Sequence, residues 1–206
     1  MAIIGRIGSG KSTLAKLLIR LYEPTSGSVL MDGFDINQLD PADLRHNVAY
    51  VAQDAKLYFG TLRDNITFGL NGITDQQVVD AAEQAGILEL VNSHPLGFEM
   101  PVGERGETLS GGQRSAIAMA RVFLRKPRVL VMDEPTSAMD QGTEERLTQQ
   151  IKTRFSDSTL LIITHKMSML TLVDRLVVVD RGVIISDGPK SEVLAALKEG
   201  KIRGKS

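Results

Sequence analysis

The stretch GRIGSGKST at Gly5–Thr13 decides how the rest of the chain is read. It fills every position of the pattern G-x-x-x-x-G-K-[ST], in which glycines let backbone N–H groups converge on an anion and a following helix N-terminus adds its positive field. The flanking elements the pattern requires are present. AII at 2–4 has the composition of a short buried strand, and KSTLAKLLIRL at 11–21 repeats leucine at 14, 17, 18 and 21, the spacing of one helix face. A glycine turn with an incidental lysine would leave those neighbours unexplained. The expected ligand is a polyphosphate: Gly5, Arg6, Ile7, Gly8, Ser9 and Gly10 supply the backbone cradle, Lys11 reaches the β and γ oxygens as a point charge, Ser12 offers a hydroxyl to Mg²⁺, and Thr13 adds another.

Such a ligand calls for carboxylates, and VLVMDEPT at 129–136 supplies two at the end of a hydrophobic strand. In open α/β sheets the ligand crevice lies beyond the carboxyl ends of the strands, the rim on which the phosphate loop also sits. Asp133 is the candidate to hold the Mg²⁺ shell. Glu134 is the candidate to polarise water toward the γ-phosphorus, its alternative being a hydrogen-bond acceptor one step removed from the chemistry. Either acid alone would read as the polar end of a strand; Lys11 upstream makes them a pair.

Composition narrows the partners. The 24 Lys and Arg residues against 25 Asp and Glu leave a net charge of -1, so no nucleic-acid footprint is expected and phosphate chemistry must come from a local site. The absence of cysteine excludes disulfides and thiolate metal centres and agrees with a reducing compartment. The apolar runs VLVM at 129–132 and LLII at 160–163 have strand length, far short of the roughly 20 residues that span a bilayer. No signal-peptide pattern precedes Gly5.

Farther from the loop, EPTSGSVLMDGFDI at 23–36 reads as turn, strand, Asp-Gly turn and strand, and NVAYVAQD at 47–54 as a buried strand. From Thr61 to Lys126 the pattern becomes helical: TLRDNITFG, DQQVVDAAEQAGILELVNS, a polar glycine-rich stretch, and a helix through QRSAIAMARVFLR. The α/β alternation then resumes with RVLVMDEP, the helix EERLTQQIKTRF, TLLIITH, a short helix around Ser168–Val173, RLVVVD and GVIISD. Near-continuous Val, Ile and Leu runs with helices between them indicate a mostly parallel sheet covered on both faces. The fold class is therefore α/β, with a helical lobe at 61–126 inserted between core halves at 1–60 and 127–206. The basic tail KEGKIRGKS at 198–206 is expected to fray.

LSGGQ at 109–113 opens the helix that carries Ala116, Ala120 and Phe123, and its serine and glycines form a second anion receptor at a helix start. Read alone it is equally a glycine-containing helix cap, just as His165, after TLLIIT, reads alone as the polar end of a strand. His46 and His94 read as ordinary surface residues, and no trio of residues suggests a zinc site.

Taken together, GRIGSGKST, Gln53, LSGGQ, VLVMDEP, SAMD and the triplet ending at His165 resemble, in order and over nearly the whole chain, the nucleotide-binding domain of an ATP-binding cassette transporter. The resemblance implies a P-loop NTPase with a RecA-like core and with ATP and Mg²⁺ as cofactors. Gly5–Thr13 stand as the Walker A loop, Val129–Asp133 as the Walker B strand, and Glu134 as the catalytic base. Gln53 stands as the Q-loop glutamine that touches Mg²⁺ and water and senses the transmembrane domain, Ser137–Asp140 as the D-loop at the nucleotide interface, and His165 as the switch histidine that contacts the γ-phosphate and holds Glu134 and the opposing D-loop in place. Two copies are expected to pair head to tail around two ATP molecules, so that Ser110, Gly111, Gly112 and Gln113 of one complete the phosphate site of the other. That gives the surplus anion receptor a purpose.

AYVAQDAKLYFGTLRDNITFG and GERGETLSGGQR resemble exporters, in which the segment after the Q-loop receives a coupling helix and Glu104–Gly106 report the partner's transmembrane domain. The wording of GRIGSGKSTLAKLL and LYEPTSGSVLMDG resembles the type I secretion ATPases. These export RTX-type toxins and adhesins from the cytoplasmic side of the bacterial inner membrane with a periplasmic adaptor and an outer-membrane channel. A lipid, peptide or drug exporter is the alternative, and a nucleotide-binding module without turnover is another. Ser115 and Met139 depart from the commoner glutamine and leucine without removing a catalytic group. In the family an aromatic residue upstream of the phosphate loop stacks on adenine within antiparallel strands. With four residues before Gly5, the chain reads as part of a longer gene product in which those N-terminal antiparallel strands are truncated. Its ATP affinity is expected to be lower by the ~1–3 kcal/mol of a base-stacking surface.

Overall fold

The structure is a computed structural model that describes residues 1–201. Along the chain the strands are β1 (Ala2–Gly5), β2 (Leu30–Met31), β3 (Phe34–Asp35), β4 (Val48–Val51), β5 (Val129–Asp133), β6 (Thr159–Ile163), β7 (Arg175–Asp180) and β8 (Val183–Pro189). The helices are α1 (Lys11–Leu18), α2 (Pro41–Asn47), α3 (Leu62–Thr67), α4 (Asp75–Gln84), α5 (Leu88–Ser93), α6 (Gly111–Arg125), α7 (Gln141–Arg154) and α8 (Lys190–Lys198).

Contacts divide the chain into two compact units, the first made of Met1–Tyr50, Pro127–Glu134 and Ser158 onward. Its sheet has the order β4-β5-β6-β1-β7-β8. β1 lies parallel to both β6 and β7, and β5 parallel to β6, as the uninterrupted aliphatic runs predict. β8 returns antiparallel on β7 through Arg181-Gly182, and β2 pairs with β3 through Asp32-Gly33. Both two-residue turns hold positive φ at both positions (48° and 78°, 50° and 86°), as the twist of a tight hairpin demands. One face of the sheet is closed by Ala15, Leu14 and Leu18 of α1, which pack with Ile3, Val48, Val131, Leu161, Ile163 and Val177.

The second unit holds Val51–Lys126 and Pro135–Asp157, whereas composition breaks the chain at 60 and 126. α6 is its spine. Ile117, Met119 and Ala120 are fully buried, as are Leu62 and Ile66 of α3 and Val78 and Ala82 of α4, and Phe123 stacks on Phe155 at the end of α7 with centroids 5.5 Å apart. Phe155 explains why α7 belongs with these helices: its ring is 2% exposed. Side chains set the helix starts. Thr61 with Asp64, Thr74 with Gln77 and Ser110 with Gln113 each form a reciprocal capping box.

Two readings need adjusting. The leucine spacing carries the first helix to Leu21, but α1 stops at Leu18 and Leu21 is 58% exposed. Arg20 turns the chain at φ 56°, and its guanidinium donates to the carbonyls of Ile36 and Leu39 at 3.3 and 3.1 Å, contacts that a continued helix would forfeit. The sequence pattern announces neither α2 nor α8, both with short apolar faces: Leu44 is the buried residue of α2 and Val193 that of α8. In the basic tail, Lys198 ends α8 and Lys201 pairs with Glu199, while 202–206 lie outside the described residues. Among the described residues no helix is long and apolar enough to cross a membrane.

Candidate functional site

Register assembles the rim of the first unit. Ile163 lies level with Ile3 on one side and with Asp133 on the other, so the phosphate loop, Glu134 and His165 leave adjacent parallel strands at the same edge. Gly5 holds φ 152°, and a Cβ there would stand 2.0 Å from the carbonyl oxygen of Val179, so no other residue fits at the end of β1. Ser9, 3% exposed, accepts a bond from Gly182 N–H at its carbonyl, 3.0 Å, which ties the loop to the β7–β8 turn. Lys11 folds its ammonium back into the loop. Nζ donates to the carbonyls of Gly5 (2.9 Å) and Arg6 (2.7 Å) and lies 3.5 Å from Ser9 Oγ. Ser12 is half-buried, while Arg6, Ile7 and Thr13 are exposed.

This loop fits a polyphosphate. Gly10 caps α1 with φ 97° and no side chain, and no acid occupies the first turn, so the helix start offers its N–H groups and its field to an anion. At Gly8, space is open for 4 Å around the position of a Cβ.

Asp133, 3% exposed, ends β5, and Tyr50 of β4 donates its hydroxyl to Asp133 Oδ2 at 3.4 Å. Burial, then the Asp133 charge, push the Tyr50 phenol up to about 12. Oxygen donors, a carboxylate and a hydroxyl, are what a hard cation such as Mg²⁺ takes. Glu134 follows at φ 48°, its N–H bonded to the Ile163 carbonyl at 2.8 Å. Its Oε1 lies 2.8 Å from His165 Nδ1, within hydrogen-bond distance. Glu134 Oε2 is buried and, among the described residues, without a hydrogen-bond partner. A carboxylate oxygen in that position needs a donor, and a water held against a bound phosphate meets the need.

The other predicted residues lie in the second unit. Gln53 is exposed in the turn after β4. Ser110 caps α6, its Oγ accepting from Gln113 N–H at 3.2 Å while Gln113 Oε1 accepts from Ser110 N–H at 2.8 Å. Gly111 and Gly112 lie against Ala138: a Cβ on Gly112 would stand 2.8 Å from the Ala138 carbonyl oxygen. Glycine at both positions therefore lets the Ser137–Asp140 turn rest on the helix start. Asp140 caps α7, and the Thr143 hydroxyl (2.6 Å) and N–H (3.0 Å) hold its carboxyl below the usual carboxylate range. A cavity of about 400 Å³ beside this face is lined by Ser110, Gln113, Met139 and Asp140 together with Glu89 and Leu90.

Sequence reasoning missed Tyr50, whose only signal was a polar-tipped aromatic inside a buried strand. It also missed Asn65 and Arg121. The Asn65 amide, 1% exposed, binds both backbone groups of Tyr58, and the Arg121 guanidinium donates to Asn65 Oδ1 at 2.8 Å beneath the stacked rings of Tyr58 and Phe68.

The ABC transporter family matches residues 1–137. A multidrug efflux ATP-binding/permease protein of Mycobacterium bovis is 44% identical over 193 residues, covering 94% of this chain and 16% of its own length. The mouse mitochondrial ATP-binding cassette sub-family B member 10 is 42% identical over 196 residues, 94% of this chain and 27% of its own. The solved structure of a bacterial Atm1-family ABC exporter with ATP bound matches 100% of this chain and 37% of its own, at a TM-score of 0.89 and 34% identity. The chain thus spans less than two fifths of the length of each of these relatives. The expected likeness to type I secretion ATPases is overturned, because the relatives are multidrug efflux and Atm1-type exporters. The stretches behind that expectation are the phosphate loop with α1 and the hairpin β2–β3. Anion geometry and a tight turn constrain both.

Proposed function

This chain belongs to the ABC transporter family, with ATP and Mg²⁺ as its cofactors, and from that premise we propose that it is the ATP-hydrolysing unit of an exporter. It works on the cytoplasmic side of a membrane, as part of a larger membrane protein whose transmembrane domain carries the cargo. The cargo class is a drug-like small molecule, in keeping with the multidrug-efflux names of relatives. A second copy pairs head to tail with the first.

Bound Mg²⁺ neutralises phosphate charge as a Lewis acid; Ser12, Asp133 and Gln53 are the residues that would hold it. Lys11 gives up its contacts with the Gly5 and Arg6 carbonyls to take phosphate oxygens, and the open start of α1 binds the remaining charge. Glu134 orients a water with its orphaned Oε2 and accepts its proton as the water attacks the γ-phosphorus and ADP departs. His165 fixes the carboxylate through Oε1. Ser110, Gly111 and Gly112 of the second copy close the site, and Asp140 stands at the same interface.

The observation that carries this reading is the Glu134–His165 contact at the rim of the phosphate loop, with one carboxylate oxygen held and the other free. Phosphate release from ATP by the chain at high concentration tests it. Glu134→Gln is expected to lower turnover about 10²–10⁴-fold, the usual worth of a general base, while ATP still binds. Turnover at the unmodified rate would remove Glu134 from the chemistry.

A further inference from the structure

We propose that Tyr50 is a positioning residue for the metal-ligating carboxylate of Asp133, holding one oxygen so that the other serves the cation. The proposal rests on the reading of Asp133 as a Mg²⁺ ligand and adds a residue that no part of the phosphate-loop pattern contains.

The placement follows from strand geometry. β4 and β5 are neighbours in the sheet, and Val48 and Val131 belong to the core cluster on the α1 face. Side chains two apart on a strand share a face, so Tyr50 and Asp133 lie on the α1 side as well, and α1 carries Ser12. The Tyr50 ring packs against that cluster while its hydroxyl reaches Asp133 Oδ2 at 3.4 Å. Asp133 is 3% exposed, and the Tyr50 hydroxyl donates to its carboxylate. A buried carboxylate with no donor to hold it is free to rotate, which spoils it as a ligand; partners that orient a ligating carboxylate govern metal affinity in the same way.

Tyr50→Phe keeps the ring in the core and removes only the donor. The measurement is the affinity of the full chain for ATP by calorimetry, once in a chelator and once in excess Mg²⁺, with the ratio of the two as readout. The expected result is a metal-linked gain in affinity reduced about 10-fold, at the low end for such partners because the bond is long, with chelator-side affinity unchanged. Tyr50→Leu, which also lacks the donor, should reduce the ratio equally. An unchanged ratio overturns the proposal. Equal losses with and without Mg²⁺ also overturn it, since they make Tyr50 a packing residue. Lys11→Ala separates the two levels of inference by weakening binding in both conditions: if it does so while Tyr50→Phe leaves the ratio alone, the nucleotide site stands and the role of Tyr50 falls. If the unmodified chain gains nothing from Mg²⁺, both fall.

Discussion

Glu134 adopts φ 48°, a left-handed backbone that a residue with a Cβ seldom takes, and it does so directly after the most buried stretch of β5. The bond from its N–H to the Ile163 carbonyl, 2.8 Å, holds that conformation and swings the side chain toward β6, where His165 waits. Strain of this kind persists where surrounding contacts over-determine it, and it gathers at functional sites. Lys11 shows the opposite economy, since its ammonium is satisfied by loop carbonyls before any ligand arrives. Those bonds must break when phosphate binds, so the net gain is that of one charge-assisted contact. Lys11→Ala is expected to weaken ATP binding about 10- to 100-fold, the worth of a hydrogen bond to a charged group; calorimetry or displacement of a fluorescent nucleotide measures it, and unchanged affinity refutes the phosphate contact.

At the scale of elements, α6 starts in a self-contained way. Ser110 and Gln113 satisfy each other's backbone groups, while Gly111 and Gly112 make room for the Ala138 turn, so the signature sequence serves the fold of its own chain. The capping boxes at Thr61, Thr74 and Ser110 were available to inspection, because the partner three residues on is a local pattern. So were the Asp-Gly hairpin signal at Asp32-Gly33 and the near-continuous aliphatic strands. The overrun of α1 and the unread α8 mark the limit of that legibility: Arg20 ends one helix through carbonyls 16 and 19 residues away, and no short window contains them. Thr74→Ala removes the cap of α4 without touching the rim and is expected to cost ~1 kcal/mol of stability, seen as a lower urea midpoint with ATP affinity unaltered.

At the scale of the molecule, the first unit carries Lys11, Asp133, Glu134 and His165, and the second carries Gln53, Ser110 and the Ser137–Asp140 turn. Under the pairing proposed above, the anion receptor at Ser110 would serve a second copy of the chain. Glu134→Gln is therefore expected to shift from monomer to dimer on adding ATP and Mg²⁺, read by sedimentation velocity, and Ser110→Arg, which fills the receptor with bulk, should abolish the shift; a strictly monomeric ATP-bound form would count against the pairing. Type I secretion was misread at this scale, because the stretches compared answer to phosphate and turn geometry and record nothing of the cargo. By itself the sequence determined the phosphate loop, the acid pair and the α/β class, since each depends on residue types at short fixed spacings. The meeting of Glu134 and His165 was implied by the family resemblance and received its geometry from the tertiary structure, which alone decided that Tyr50 meets Asp133. Those contacts span 31 and 83 residues and exist because crossover connections set β4, β5, β6 and β1 side by side, an order that packing of whole faces selects and no local pattern encodes.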